Sequence, residues 1–103
     1  MYKLVTKKYF DKKLGKQIKN NLELKKSVKK CFELLISNPK NIILKSHKVN
    51  SRHFDNVFSS SVTGDIRIIW KYGELEEATN EEMEIQILEL LDIGGHGGNT
   101  GVY

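Results

Sequence analysis

Apolar positions fall into two regimes separated near Pro39. Tyr2-Lys3-Leu4-Val5 alternates and is β-prone, which predicts a first strand. Phe10, Leu14 and Ile18 then recur every fourth residue, one apolar stripe on a helix otherwise covered by lysine. Thr6 is placed to cap it, because a hydroxyl accepts an orphan amide hydrogen of the first turn. Asn20-Asn21 breaks the stripe and offers a second cap. Leu24, Val28, Phe32, Leu35 and Ile36 form a second stripe, ended by Ser37-Asn38-Pro39. Two antiparallel helices joined by a short turn follow from this spacing.

Beyond Pro39 the period shortens to two. Phe54 to Ser61, Ile66 to Tyr72 and Met83 to Ile93 read as strands, with Thr63-Gly64-Asp65 as a hairpin turn. Alternation sets Ile66, Ile68 and Trp70 on one face and Arg67, Ile69 and Lys71 on the other. Met83, Ile85, Ile87, Leu91 and Ile93 are expected to share a face in the same way. Gly73 to Glu82 is acidic and reads as a loop. The predicted order is one strand, two helices, then a run of strands. It describes an α+β domain in which an N-terminal strand and a helical hairpin pack on an antiparallel sheet.

Composition narrows the class. At 103 residues the chain has the length of a single domain, 1–103, and 29% charged against 39% hydrophobic residues is ordinary for a globular fold. One cysteine, Cys31, permits no internal disulfide and fits a reducing compartment. No apolar run approaches the ~18 residues of a membrane span, so the expectation is a cytoplasmic protein without a membrane partner. The net charge of +4 conceals a division: fifteen Lys/Arg face three Asp/Glu up to His53, and two face ten beyond it. A basic half of this kind is an electrostatic footprint for a polyanion, or else a set of lysines that solubilise helix faces.

Several residues are candidates for chemistry. Arg67 sits mid-strand between isoleucines, where it either covers the sheet with its stem or aims its guanidinium at a phosphate. Lys45, His47, Lys48, Arg52 and His53 form a basic patch before the sheet, either a solvated loop or a phosphate-tracking groove. The glycine-rich tail around His96 and Tyr103 is either a frayed terminus or a backbone able to approach a ligand closely. It is no Walker loop, since no Gly-Lys-Ser/Thr follows. His96 among glycines suits a proton donor or acceptor, because imidazole titrates near neutrality. His47, His53, His96 and Asp65 match no short metal-binding signature, so no metal and no cofactor are expected.

His47-Lys48-Val49, Gly64-Asp65-Ile66-Arg67-Ile68-Ile69-Trp70, Leu91-Asp92-Ile93-Gly94-Gly95-His96 and Val102-Tyr103, in this order, resemble the RelE/ParE superfamily of toxin–antitoxin toxins. The RelE and YafQ branches, ribosome-dependent mRNA interferases, are the most similar. The resemblance implies a RelE-like fold and a metal-independent endoribonuclease that cleaves mRNA through its own 2′-OH. Arg67 matches the arginine that neutralises the scissile phosphate, His96 the general acid, and Tyr103 the terminal aromatic that stacks on a base. His47 and Asp65 match a histidine and an aspartate of the YafQ site. Lys45, Lys48, Arg52 and His53 would track the RNA. A further histidine of YafQ-like toxins is here Ser61; whether His53 replaces it stays open. The implied partners are the ribosome, mRNA and a small acidic antitoxin, for which Lys12, Lys13, Lys16 and Lys19 on one helix and Lys25, Lys26, Lys29 and Lys30 on the next form a basic surface. Two alternatives are a ParE-like DNA gyrase poison and a basic nucleic-acid-binding module without catalysis.

Overall fold

The computed structural model describes residues 2–51, 54–73, 76–77 and 84–95. Strand β1 (Tyr2–Val5) leads into α1 (Lys8–Ile18) and α2 (Leu22–Ser37). A 3-10 turn (Ile42–Leu44) then precedes β2 (His47–Val49), β3 (Val57–Ser61), β4 (Arg67–Tyr72), β5 (Glu76–Glu77) and β6 (Glu84–Gly94). The sheet runs β1-β6-β4-β3-β2, with β5 paired to the start of β6. All pairings are antiparallel except β1 with β6, which is parallel, Tyr2 opposite Gln86 and Val5 opposite Glu89. The architecture is the α+β arrangement expected, with one parallel edge that alternation could not foresee. No helix among the described residues is long and apolar enough to cross a membrane.

The helical stripes meet the sheet as their spacing requires. Phe10, Val28, Cys31 and Leu35 pack with Ile68, Trp70, Leu88, Leu90 and Ile93 into one core, with Leu14, Ile18, Leu24 and Phe32 at its margin. Trp70 lies stacked on Phe58 (centroids 4.9 Å apart) and edge-on to Tyr72, pairs that each add roughly 0.5–1.5 kcal/mol beyond area burial. On the opposite face Val57 and Ile69 form a smaller cluster with Val49, Phe54 and Leu91.

Five expectations are corrected. The N-cap of α1 is Lys7, which makes no side-chain capping bond, so Thr6 stands one residue too early; Asn21 does cap α2, accepting from the Leu24 amide at 3.0 Å. The basic stretch before the sheet holds a strand of its own, β2, and the acidic stretch after Gly73 contains β5. The alternation expected along β6 fails at Leu91, where a bulge skips one residue of the ladder. Leu88, Leu90 and Ile93 therefore face the helices while Leu91 joins the smaller cluster. Lys13 is no part of an exposed basic face: its ammonium lies 2.7 Å from the carboxylate of Asp92, a buried residue. Lys12, Lys16, Lys19, Lys25, Lys26, Lys29 and Lys30 remain exposed.

Candidate active site

Residues directly opposite in a β-ladder share a face, so register decides which side chains can meet. His47 is opposite Ser59, and Ser61 is opposite Arg67, which is in turn opposite Gly94. His47, Ser59 and Arg67 thus collect on the face away from the helices, at the end of β4 that follows the Thr63–Asp65 turn. Lys48 is paired with Phe58 and stands on the other face. The basic patch of the sequence is divided between the two sides.

Arg67 does more than cover the sheet. Its Nε donates to Ser59 Oγ, and its Nη2 donates to the Ser59 carbonyl at 3.1 Å and to the Lys45 carbonyl at 3.0 Å. Among the described residues Nη1 has no hydrogen-bond partner, so one edge of a rigidly held guanidinium is left for an anion. A two-pronged grip through both Nη atoms requires the phosphate to displace the Lys45 carbonyl.

That carbonyl is turned toward Arg67 by an unusual backbone. Lys45 occupies the left-handed region (φ 49°, ψ 41°), which costs a residue with a Cβ roughly 1–2 kcal/mol. The same carbonyl lies 3.1 Å from Nδ1 of His47. Nδ1 is 3.4 Å from Arg67 Nη2, a longer contact. The shorter contact favours a proton on Nδ1 donated to the carbonyl, which leaves Nε2 without a hydrogen-bond partner among the described residues.

Asp65 sits in the turn, exposed, with its amide held by Thr63 Oγ1 at 3.2 Å. Its carboxylate makes no ion pair among the described residues. Gly95, one residue past β6, lies close enough that an added Cβ would contact the Asp65 carbonyl at 3.4 Å. The strand that carries the chain to His96 therefore ends against the Asp65–Arg67 turn. His96, Tyr103, Arg52 and His53 lie outside the described residues. Ser59 was not foreseen as a site residue; its position two residues before Ser61 on the Arg67 face was the available signal. No cluster of three or more His, Cys, Asp or Glu suited to a metal ion occurs among the described residues. Burial pushes the Cys31 thiol up to about 12, against a smaller downward pull from Arg67, so this cysteine is an unreactive core residue.

No family model and no curated protein matches the chain. Nine solved chains match in structure. YafQ from E. coli strain BL21(DE3), also solved in the DinJ–YafQ toxin–antitoxin complex, superposes with a TM-score of 0.63 at 19% identity, over 93% of this chain and 94% of its own. This is the RelE/YafQ toxin fold. A YoeB/ParE toxin from Agrobacterium tumefaciens shares it (TM-score 0.67, 14% identity, 92% of this chain and 99% of that one). So does a metal-bound toxin from Helicobacter pylori (TM-score 0.63, 23% identity, 93% and 96%). In the toxin fold of this chain, Arg67 and His47 come from β4 and β2, two strands on either side of β3.

Proposed function

We propose that this chain, as one domain over residues 1–103, is the toxin of a toxin–antitoxin pair and an endoribonuclease acting on ribosome-bound mRNA in the cytoplasm. The observation that carries the reading is the Arg67–Lys45–His47 cluster: a guanidinium anchored by three bonds, with a free edge, beside an imidazole whose Nε2 faces no protein donor among the described residues. RNA supplies its own nucleophile, so the protein needs a base for the 2′-OH, a cation on the phosphate and an acid for the departing 5′ oxygen. Arg67 Nη1 meets the phosphate, where charge develops in the transition state. His47 Nε2 takes the 2′-OH proton, with Asp65 as the alternative group for that base or its orientation. His96 is assigned to the acid and Tyr103 to base stacking. Each acid or base group contributes roughly a hundredfold or more, and in-line positioning by the ribosome supplies the larger share. Lys45, Arg52 and His53 track RNA backbone at the site, while Lys48, on the other face of the sheet, can reach only RNA that passes around its edge; no metal takes part in the chemical step, and the antitoxin, the counterpart of DinJ in the DinJ–YafQ complex, is a small acidic protein.

The test is to incubate the purified chain with translating ribosomes and map new 5′ ends on the mRNA. Cuts within the ribosome-bound stretch of mRNA are expected, lost in Arg67→Ala and His47→Ala and retained in single-turnover reactions with EDTA on pre-assembled ribosomes. Intact mRNA together with inhibited DNA supercoiling would transfer the protein to the gyrase-poison reading. Intact mRNA and undisturbed supercoiling would leave the binding-module reading.

A further inference from the structure

The geometry points to Ser46 and Ser60 as positioning residues that set the Arg67–His47 pair through a hydroxyl relay, its Ser60 end buried and its Ser46 end half-buried. Ser46 Oγ donates to the Pro39 carbonyl at 2.6 Å and contacts Ser60 Oγ; Ser60 Oγ accepts from Trp70 Nε1 at 2.7 Å. A carbonyl cannot donate and each hydroxyl has one hydrogen. The relay therefore has a single direction: Trp70 N–H to Ser60, Ser60 O–H to Ser46, Ser46 O–H to Pro39 C=O. Ser60 is fully buried and Trp70 nearly so, and among the described residues their hydrogens have the partners just named.

The relay acts on the site through one peptide unit. The loop from Pro39 to Ser46 has little apolar holding, because Ile42 and Ile43 are 88% and 60% exposed and only Pro39 and Leu44 are buried. Ser46 ties the two ends of that loop together and bolts them to β3. The Lys45 carbonyl belongs to the same planar peptide as the Ser46 amide, so fixing Ser46 fixes the direction of the carbonyl. That carbonyl is the shared acceptor of Arg67 Nη2 and His47 Nδ1. Loss of the relay releases the carbonyl, and with it the orientation of the guanidinium and the proton on Nδ1. Neither serine touches substrate. Their catalytic consequence rests on the function proposed above, while their effect on the two side chains does not.

The experiment compares Ser46→Ala, Ser46→Thr and Val28→Ala, the last a core truncation on α2 that removes none of the relay's hydrogen bonds. Two readouts are taken: single-turnover mRNA cleavage against pH, and NMR of the His47 ring nitrogens and the Arg67 Nε–H. Ser46→Ala should lower cleavage tenfold or more, shift the acidic limb of its pH profile and raise Arg67 Nε–H exchange at least tenfold. Ser46→Thr, which keeps the hydroxyl, should restore most of both, and Val28→Ala should move neither NMR signal. If Ser46→Ala does not fold, Ser46→Cys keeps the volume with a weak donor and is read in the same way. Unchanged His47 and Arg67 signals in a folded relay variant overturn the proposal. A wild-type protein that cuts no RNA removes the proposed function but leaves the NMR comparison to decide the relay.

Discussion

Replacing Asp92 with alanine tests how firmly α1 holds the strand that leads into the site. Asp92 is 5% exposed, and its Oδ1 accepts from Lys13 Nζ at 2.7 Å and from the Ile93 amide at 2.8 Å. Gln17 of the same helix donates to the Ile93 carbonyl at 2.7 Å, so α1 grips β6 at two adjacent residues. Hydrogen bonds to a charged group contribute roughly 1.5–3 kcal/mol each. Breaking a fully buried pair costs about 3–5 kcal/mol, but the Lys13 side chain is 15% exposed and its stem can carry the ammonium to water. The expected loss is about 3 kcal/mol. At roughly 4–8 °C per kcal/mol for a domain of this size, Tm falls by about 12–24 °C. The assay is a double-mutant cycle with Lys13→Met, each protein unfolded in urea and followed by circular dichroism. A coupling energy of about 2 kcal/mol is expected. A coupling below about 0.5 kcal/mol, the range of solvent-exposed pairs, refutes the reasoning.

Three further outcomes follow from the same contacts. The thiol of Cys31, raised in the folded state, contributes stability below pH 9 that is lost as pH climbs through about 12; alkaline unfolding should begin above pH 9, Cys31→Ala should flatten that slope, and alkylating reagents should label the thiol only after unfolding. Arg67→Lys keeps the charge but not the three anchoring bonds, so it should cleave mRNA far more slowly than wild type yet faster than Arg67→Ala; equal rates in all three would reduce Arg67 to a cover for the sheet. Lys45→Gly relieves the left-handed backbone and should leave stability unchanged or raise it by up to about 1 kcal/mol in thermal melts, a lowered Tm being the contrary result.

Much of the scaffold was legible because burial is periodic. Phe10, Leu14 and Ile18 and the stripe from Leu24 to Leu35 could sit on a core only as helices, and Ile68 with Trp70 only as a strand. What escaped was decided by partners distant in sequence. Alternation in β1 says nothing of the direction of its neighbour, so the parallel pairing with β6 was invisible. The bulge at Leu91 re-aimed Ile93 onto the face of Leu88 and Leu90 without leaving a glycine or proline to mark it. At the site, Arg67 and His47 were visible as chemically odd residues. Their common acceptor was not, because it is a backbone carbonyl and has no letter in the sequence. Three consecutive serines disclosed a strand but not that Ser59 anchors the arginine while Ser60, one step along, belongs to the relay beneath it.

The place of β6 has a consequence for how the protein comes into being. It lies between β1 and β4, yet it is translated after every other strand described. Tyr2 must wait for Gln86, more than eighty residues later, before β1 has any strand beside it, and Arg67 lacks its partner on that side until Gly94 arrives. Closing so long a loop is slow, and it cannot start while the ribosome still encloses the segment that completes it. The sheet that carries Arg67 and His47 is thereby completed last, by the strand on which both β1 and β4 depend. In the interval before that closure, the β6-facing edges of β1 and β4 stand unpaired and open to any partner that reaches them first.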